Sequence, residues 1–262
     1  MIFILVLISL CSCSSGKTTT ISSPSSIEER ILKFTKKTDY PYEGLYFVSG
    51  YYGSPTSVAI PDQYNNVSVG GVFYNAFKDC SSLKNVTFPS HSVYIEGMSF
   101  TNCTGLTTVN IPGGISGFDE LPFEGCTSLT SINLGRNSYW YSSDGLIMSD
   151  GAVNELEYCP PGRTGTLTIP DGTKWIYHTA AYRCTKITNV SFPSSVNSIE
   201  YQAFGGCVSL TSVFIPKTIT HIGVNAFMGC KNLTLKMEAT SEPDSFESGW
   251  NTDCTVVWGA TK

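Results

Sequence analysis

The sequence predicts a β-rich solenoid, a fold in which short parallel strands of successive coils stack on one another. The first observation is a repeat of about 23 residues, in which apolar positions return at offsets 0, 3, 6, 9 and 11. The second observation is the segment Val213-Phe214-Ile215-Pro216, where apolar residues alternate with other residues before a proline. That alternation is typical of a half-buried strand, and proline ends it because it cannot donate a ladder hydrogen bond.

Six copies of the repeat follow one another, each with an aromatic residue, a cysteine and spaced apolar residues. The copies are Phe204, Cys207, Leu210, Val213, Ile215; Phe77, Cys80, Leu83, Val86, Phe88; Phe100, Cys103, Leu106, Val109, Ile111; Phe123, Cys126, Leu129, Ile132, Leu134; Tyr182, Cys184, Ile187, Val190, Phe192, with one residue deleted; and Phe227, Cys230, Leu233. Since one repeat cannot bury its apolar residues alone, stacking must supply the core. About eight stacked coils of ~23 residues, right-handed and capped at both ends, are predicted.

The pattern AFxxCxxLxxVxIPxxIxxIxxxAF resembles the BspA-like leucine-rich repeats, and the match covers roughly residues 44–259. The resemblance implies a leucine-rich-repeat solenoid on a cell-surface or secreted protein. It also implies adhesion to host proteins or other cells, which is the usual proposal for that family. For function the resemblance is weaker than for fold, because one fold hosts many functions.

Composition limits the possible functions. The chain has 262 residues and a formal net charge of −5, and 14% of its residues are charged. The hydrophobic content is too high for a disordered chain, and the repeat favours one elongated domain. The mild acidity lacks the basic footprint of a nucleic-acid-binding protein, so no nucleic acid partner is expected.

The first 13 residues predict export. Residues 2–10 form an apolar run that is too short to span a bilayer but suits a signal peptide. The run lacks a preceding Lys or Arg, so the start lies upstream or the signal is atypical. The segment Leu10-Cys11-Ser12-Cys13 resembles a bacterial lipobox and makes Cys13 the candidate lipidation site, with Cys11 as the alternative. An ordinary cleaved secretory peptide is the other interpretation.

Residues 14–40 are predicted to be a Ser/Thr-rich tether, with a short helix or disordered lead-in at 26–34. The repeat domain spans 41–262. Residues 45–51 and 56–61 indicate a strand pair with the first repeat strand, forming an N-terminal cap. An insertion at about 138–162 contains two apolar runs around Asp150-Gly151, which predicts a hairpin. A harmless insertion is favoured over a binding protrusion, and about 233–262 is the C-terminal cap.

The cysteines and histidines indicate no cofactor and no metal. The column Cys80, Cys103, Cys126, Cys184, Cys207 and Cys230 is interpreted as buried free thiols, with disulfides between adjacent coils as the alternative. Cys159 and Cys254 lie outside that column and either pair or stay free. His91, His178 and His221 are interpreted as exposed imidazoles. No local catalytic or zinc motif occurs, so an enzyme is not predicted.

Two outward columns of small polar residues are the candidate ligand-binding face. They comprise Asn85, Thr87, Thr108, Asn110, Ser131, Asn133, Thr166, Thr168, Asn189, Ser191, Ser212 and Phe214. These residues could equally be soluble strand formers. Glycosylation sequons occur at Asn66, Asn85, Asn102, Asn189 and Asn232, and we interpret them as by-products of the strand pattern.

The sequence therefore favours a membrane-anchored extracellular module that binds a host or cell-surface protein or a glycan. The first alternative is a passive spacer or a self-associating surface-layer component. A hydrolase is the second alternative. It requires a pocket with converging titratable groups, most plausibly near residues 144–158.

Overall fold

The computed structural model describes residues 31–135, 139–150 and 154–262. The predicted leader at 1–13, with Cys11 and Cys13, and most of the tether lie outside the described residues. In the described part of the chain, no helix is long and apolar enough to cross a membrane.

The described residues form a parallel-strand solenoid of about nine turns, built from short strands. In chain order the strands are β1 Leu32–Lys36, β2 Tyr46–Tyr51, β3 Ser57–Ala59, β4 Gln63–Tyr64, β5 Val67–Val72, β6 Asn85–Thr87, β7 Val93–Ile95, β8 Thr108–Ile111, β9 Ile115–Phe118, β10 Ser131–Leu134, β11 Trp140–Ser143, β12 Leu146–Asp150, β13 Asn154–Tyr158, β14 Gly165–Thr168, β15 Trp175–Ile176, β16 Ile187–Ser191, β17 Ser198–Ile199, β18 Ser212–Ile215, β19 His221–Ile222, β20 Thr234–Met237 and β21 Thr255–Val257.

One side of the solenoid, called the repeat wall below, contains the strands that the repeat predicted. Its sheets run β3-β6-β8-β10, β14-β16 and β18-β20-β21, and every pairing is parallel. Equivalent residues pair across coils, for example Val109 with Ile132 and Val213 with Leu235. Because side chains alternate along a strand, this register stacks all apolar positions inward and all intervening positions outward.

The opposite side, called the return wall, carries the second strand of each coil. Strands β2, β5, β7 and β9 form one parallel run, and β13, β15, β17 and β19 form another. The antiparallel strand β1 pairs with β2 at the N-terminal end. Strand β9 does not pair with β13, so the return wall is interrupted between its two runs.

The core between the walls contains an aromatic ladder and a thiol ladder. The Phe77 and Phe100 rings stack with centroids 5.0 Å apart, and Phe100 and Phe123 stack at 5.1 Å. The Cys103 Sγ donates to the Phe77 carbonyl oxygen at 3.1 Å, which satisfies a buried carbonyl of the preceding coil. All eight described cysteines are free, which confirms the interpretation of the column as unbridged thiols. Cysteine suits this position because it is small, apolar and a weak donor.

The insertion forms a three-stranded antiparallel meander, β11-β12-β13. The β12–β13 hairpin confirms the prediction made from Asp150-Gly151. Strand β11 was not predicted. Its signal is the pair Asp144-Gly145, whose positive φ angles of 48° and 73° give the left-handed turn that joins β11 to β12.

The alignment of the fifth repeat on Tyr182 is wrong. The Ala181 N–H donates to Ala203 of the next coil at 2.8 Å, just as the Phe204 N–H donates to Ala226 at 2.8 Å. Ala181 is fully buried and therefore occupies the aromatic position, whereas Tyr182 is half-buried. Counted from Ala181, the repeat needs no deletion. An alanine hides this register because the pattern requires an aromatic residue there.

Three predictions about the ends also need correction. Residues 32–34 form part of strand β1, not a helix, because pairing with β2 outweighs the weak helical spacing. Strands β2 and β3 lie in different walls and do not pair with each other. Cys254 extends the thiol column, since its Sγ lies 3.6 Å from the Phe227 oxygen. The C-terminal aromatics pack on the last coil as expected, with Trp250 only 1% exposed.

Candidate binding surfaces

The outward columns of the repeat wall lie where the sequence placed them. Eight of the twelve candidate residues are exposed, namely Asn85, Thr87, Thr108, Asn110, Asn133, Thr166, Thr168 and Asn189. Four are half-buried, namely Ser131, Ser191, Ser212 and Phe214. The strand register brings Thr87, Asn110 and Asn133 together across three coils. The repeat wall is therefore a flat surface of small polar groups.

Hydrogen bonds within the columns order part of this surface. The Asn133 Nδ2 donates to the Asn110 Oδ1 at 2.8 Å, and the Ser131 Oγ donates to the Asn133 Oδ1 at 3.0 Å. The columns are not continuous, however. At strand β10 the Ile132 N–H donates to the Gly145 oxygen at 2.9 Å, so the meander lies where the next repeat strand was expected. The polar face is thus divided into an N-terminal patch and a C-terminal patch.

A cleft of about 820 Å³ lies at the break in the return wall, beside the segment 144–158 where the hydrolase alternative required a pocket. It is lined by Tyr74, Gly97, Met98, Phe118, Asp119, Glu120, Leu121, Tyr139, Trp140, Glu155, Glu157, Tyr158, Tyr177, His178 and Thr179. Most of these residues follow the carboxyl ends of the return-wall strands or belong to β13. Because β9 and β13 do not pair, the gap between the two runs stays open as a cleft.

Two carboxylates of strand β13 line this cleft. Glu155 and Glu157 share one face of the strand, and Leu156 between them is fully buried in the core. Glu157 is only 7% exposed. The pKa of Glu157 is raised to about 7, mainly by burial and also by the charge and hydrogen bond of Glu155, whereas a hydrogen bond from Ser149 opposes the shift. Burial also raises the pKa of Glu155.

The other acidic groups of the cleft have partners. The Asp119 carboxylate accepts hydrogen bonds from the Tyr94 hydroxyl and, at 3.1 Å, from the Gly97 N–H. The Glu120 Oε1 lies 3.3 Å from the His178 Nε2. By contrast, no lysine or arginine among the described residues lies within 4.0 Å of the Glu155 or Glu157 carboxylate. Within the described part of the chain, the carboxylate pair of the cleft therefore has no lysine or arginine partner.

Aromatic rings form the walls of the cleft. The Tyr177 and His178 rings lie 3.7 Å apart, and Phe118 contacts Trp140 with centroids 5.1 Å apart. Tyr74 and Tyr139 are 55% and 50% exposed at the rim. Acidic groups at the floor and aromatic faces at the sides give a site for a ligand that is both cationic and apolar, or for a sugar.

The prediction that the three histidines are plain surface imidazoles is wrong. All three are half-buried and bonded. The His91 Nε2 lies 2.8 Å from the Val69 oxygen, and the His221 Nδ1 lies 2.9 Å from the Ser245 oxygen. His178 lines the cleft. His91 and His221 thus bond to backbone carbonyls of neighbouring coils, whereas His178 pairs with the carboxylate of Glu120.

The thiols have no nucleophilic role that the structure supports. Burial raises the pKa of Cys207 and brings the pKa of Cys230 to about 11, which keeps both protonated at neutral pH. Within the described residues, no group of three or more His, Cys, Asp or Glu side chains is placed to hold a metal ion.

A signal for the cleft is visible in the sequence in retrospect. Two carboxylates lie on one face of a return-wall strand in the segment Glu155-Leu156-Glu157. The other parallel strands of that wall carry apolar or neutral residues. The aromatic residues that surround them come from separate coils, so only the stacked structure shows that they converge.

Comparison with protein families gives a match over most of the chain. The profile described as BspA type leucine rich repeat region matches six copies, at residues 51–144 and 162–244. The unmatched stretch between them contains strands β12 and β13. No curated protein sequence matches the chain.

Comparison with solved structures gives bacterial leucine-rich repeat proteins of the same fold. One from Bacteroides ovatus is 24% identical, covers 82% of this chain and 58% of its own, and has a TM-score of 0.51. The pneumococcal vaccine antigen PcpA is 19% identical, with 78% and 54% covered and a TM-score of 0.53. A protein from Eubacterium ventriosum is 19% identical, with 78% and 60% covered and a TM-score of 0.53. The chain thus matches between half and two thirds of each of these proteins.

Proposed function

The chain belongs to the BspA-type leucine-rich repeat family, and from that premise we propose that it is an extracellular module that binds a protein or a glycan through its solenoid surface. The observation that carries this proposal is the exposed, in-register polar face of the repeat wall. Successive coils present amide and hydroxyl groups at the strand spacing, which suits an extended partner with repeated hydrogen-bonding groups. The face lacks the tryptophan and arginine anchors of tight interfaces, so binding is expected to be broad and weak per unit area.

Location at the cell surface is part of the proposal. It is supported by the apolar run at 2–10 and by the Ser/Thr-rich segment that follows. A relative of the same fold is a vaccine antigen. The finer proposal is a lipid anchor at Cys13. Metabolic labelling with a palmitate analogue tests it: Cys13→Ser should lose the label, and Cys11→Ser should keep it. No label on the wild-type protein would remove the anchor from the proposal.

Binding of the protein to immobilised matrix proteins, glycans and host cells tests the main proposal. The double variant Asn110→Arg with Asn133→Arg places two bulky charges on the N-terminal patch and leaves the inward residues unchanged. A matched control, Ser116→Arg with Thr220→Arg, adds the same charge at two exposed positions on the return-wall side. Loss of saturable binding in the first variant alone supports recognition through the repeat wall.

The remaining outcomes decide between the alternatives. Binding that survives in both variants moves the site away from the N-terminal patch. Absence of binding to every surface, combined with a concentration-dependent increase in mass by sedimentation, favours the self-associating surface component. Absence of both favours the passive spacer.

The hydrolase alternative gains one observation, since a pocket with titratable groups does lie beside the meander. However, Glu155 and Glu157 lie side by side on one face of a single strand, whereas the two carboxyl groups of a glycosidase flank the substrate, roughly 5 to 9.5 Å apart. We therefore propose that the protein binds without catalysing a reaction. Turnover of any glycan or peptide that is lost in Glu157→Gln would contradict this.

A further inference from the structure

Among the described residues, no lysine or arginine neutralises the Glu155–Glu157 pair. Two carboxylates share one face of β13, and one of them is 93% withdrawn from solvent, given its 7% exposure. Buried charges in proteins are normally paired with an opposite charge or are neutralised by a proton. Among the described residues, the basic side chain that interacts with Glu155 is His178, which already pairs with Glu120 at 3.3 Å.

The aromatic lining adds a second requirement. Rings of Tyr177, Tyr74 and Trp140 come from three different coils and border the same space. Aromatic faces attract cations through their quadrupole, most strongly when water is excluded. A ligand that combines a positive charge with attached CH₂ or CH₃ groups would meet both the rings and the carboxylates.

The size of the cleft is compatible with more than a bare ion. Its volume of about 820 Å³ lies within the range of ~300–1,000 Å³ that is usual for small-molecule sites. An inorganic metal ion is a poor fit, because the described residues offer no cluster of three ligating groups. An anionic ligand is a poor fit too, because it would be repelled by the carboxylates of Glu155 and Glu157.

We infer that the return-wall cleft is a binding site for an organic ammonium group, such as a lysine side chain of a partner protein or a quaternary ammonium headgroup. The ammonium occupies the floor beside Glu155 and Glu157, and its aliphatic part contacts the aromatic walls. This site lies on the wall opposite the polar columns, so the experiments on one surface do not decide the other.

Protons and the ligand compete for the carboxylate pair. The titratable groups that face Glu157 are Glu155 on its own strand, Tyr177 and His178 after β15, and Glu120 after β9, with Tyr139 and Glu200 further away. Since the pKa of Glu157 is raised to about 7, the site carries its full negative charge only above that pH. Affinity for a cation should therefore rise between pH 5.5 and pH 8.

The test is calorimetric titration of the protein with two cations and their neutral isosteres. The pairs are choline with 3,3-dimethylbutanol, and Nα-acetyl-lysine methylamide with Nα-acetyl-norleucine methylamide. At pH 8 the preferred cation should bind at least tenfold more tightly than its isostere. Binding should weaken roughly thirtyfold at pH 5.5, as expected for a group with a pKa of about 7. The pair that shows the larger preference identifies the quaternary headgroup or the lysine side chain as the source.

Three variants assign the effect to the cleft. Glu157→Gln keeps the shape of the side chain and should lose both the tenfold preference and the pH dependence. Tyr177→Leu should weaken the cation several-fold at every pH. Glu43→Gln removes an exposed carboxylate and should change nothing. Thermal unfolding of each variant shows whether the protein remains folded.

Several results would overturn the inference. Equal binding of cation and isostere would do so, as would pH-independent binding of methyl glucoside at this site, which would assign the cleft to carbohydrate. Retention of cation affinity in Glu157→Gln would place the site elsewhere. Absence of binding for both cations at roughly 50 mM, well beyond ordinary ligand affinities, would also reject it.

Discussion

The N-terminal stack, residues 32–134, and the C-terminal stack, residues 154–258, use the same repeat but fill their cores differently. In the N-terminal stack an unbroken ladder of rings runs from Tyr51 through Phe77 and Phe100 to Phe123, with centroid separations of 5.0 to 5.7 Å. In the C-terminal stack the ladder is interrupted and resumes only at Phe204 and Phe227, 5.4 Å apart.

The interruption is caused by small residues at the aromatic position. Cys159 and Ala181 take that place in two successive coils, as their hydrogen bonds to the next coil show. Phe192 packs edge-on against Phe204 at 5.9 Å, much as Phe88 packs against Phe100 at 6.1 Å in the N-terminal stack. The solenoid thus tolerates a small residue at the aromatic position of two successive coils.

The meander is the seam between the two stacks. Ile147 and Tyr158 pack into the N-terminal core, whereas Leu146, Met148 and Leu156 pack into the C-terminal core. The same strands put Glu155 and Glu157 into the opening of the return wall. The insertion therefore joins the two cores on its inner side and creates the cleft on its outer side.

The largest effect is expected for the aromatic ladder. Phe100→Ala removes a fully buried ring that stacks on both neighbours and should lower the free energy of unfolding by about 3–5 kcal/mol. Phe214→Ala, the same change at a half-buried outward position, should cost less than about 1 kcal/mol. Urea unfolding measures both. Equal losses in the two variants would mean that the ladder does not hold the N-terminal stack.

The free energy of unfolding should contain a pH-dependent contribution from Glu157 at the seam. Burial raises the pKa of Glu157 from 4.5 to about 7, so the folded state binds more protons than the unfolded state between these values. Its contribution to stability is therefore present below pH 4.5 and is lost as pH rises through about 7. Glu157→Gln should be more stable than the wild type at pH 8, by on the order of 1–3 kcal/mol, and equally stable at pH 4.

Urea unfolding at both pH values checks this prediction. The control is Glu43→Gln, which changes an exposed side chain and should match the wild type at both pH values. A Glu157→Gln variant that is less stable than the wild type at pH 8 would show that the carboxylate has a stabilising partner.

Restoring an aromatic ring at position 181 should destabilise the protein. Ala181→Phe inserts a ring at a position with no exposed surface, inside a core whose neighbouring side chains are already buried. Overpacking of this kind costs about 1–3 kcal/mol. Tyr182→Phe, at the half-buried neighbour, should change stability by only a few tenths of a kcal/mol. A rise in melting temperature for Ala181→Phe would show instead that the seam contains unfilled volume.

The smallest effect is expected on the polar face. The Asn133–Asn110 side-chain bond of 2.8 Å is solvent-exposed, so Asn133→Ala should cost less than about 1 kcal/mol. A double-mutant cycle with Asn110→Ala isolates the pair. The cycle should give a coupling of a few tenths of a kcal/mol. A coupling above about 1.5 kcal/mol would make the face a structural ladder, which would weaken its interpretation as a binding surface.

The repeat wall could be predicted from the sequence alone. Its register follows from offsets that recur in every coil, because stacking identical coils forces Val109 over Val86 and Cys103 over Cys80 without any long-range information. The free thiols and the outward polar columns follow from the same periodicity, and the hairpin at 146–158 follows from its turn residues.

The departures from the repeat are visible only in the folded structure. An alanine replaces the aromatic residue at 181, β11 is added at the seam, and β9 is left unpaired with β13, and none of these changes has a recurring signal in the sequence. The cleft depends on the last two, and it brings Tyr74, Glu157 and Tyr177 together from coils far apart in the chain. A periodic pattern specifies only contacts between equivalent positions of adjacent coils. The cleft is formed by non-equivalent positions, so only the folded chain places them together.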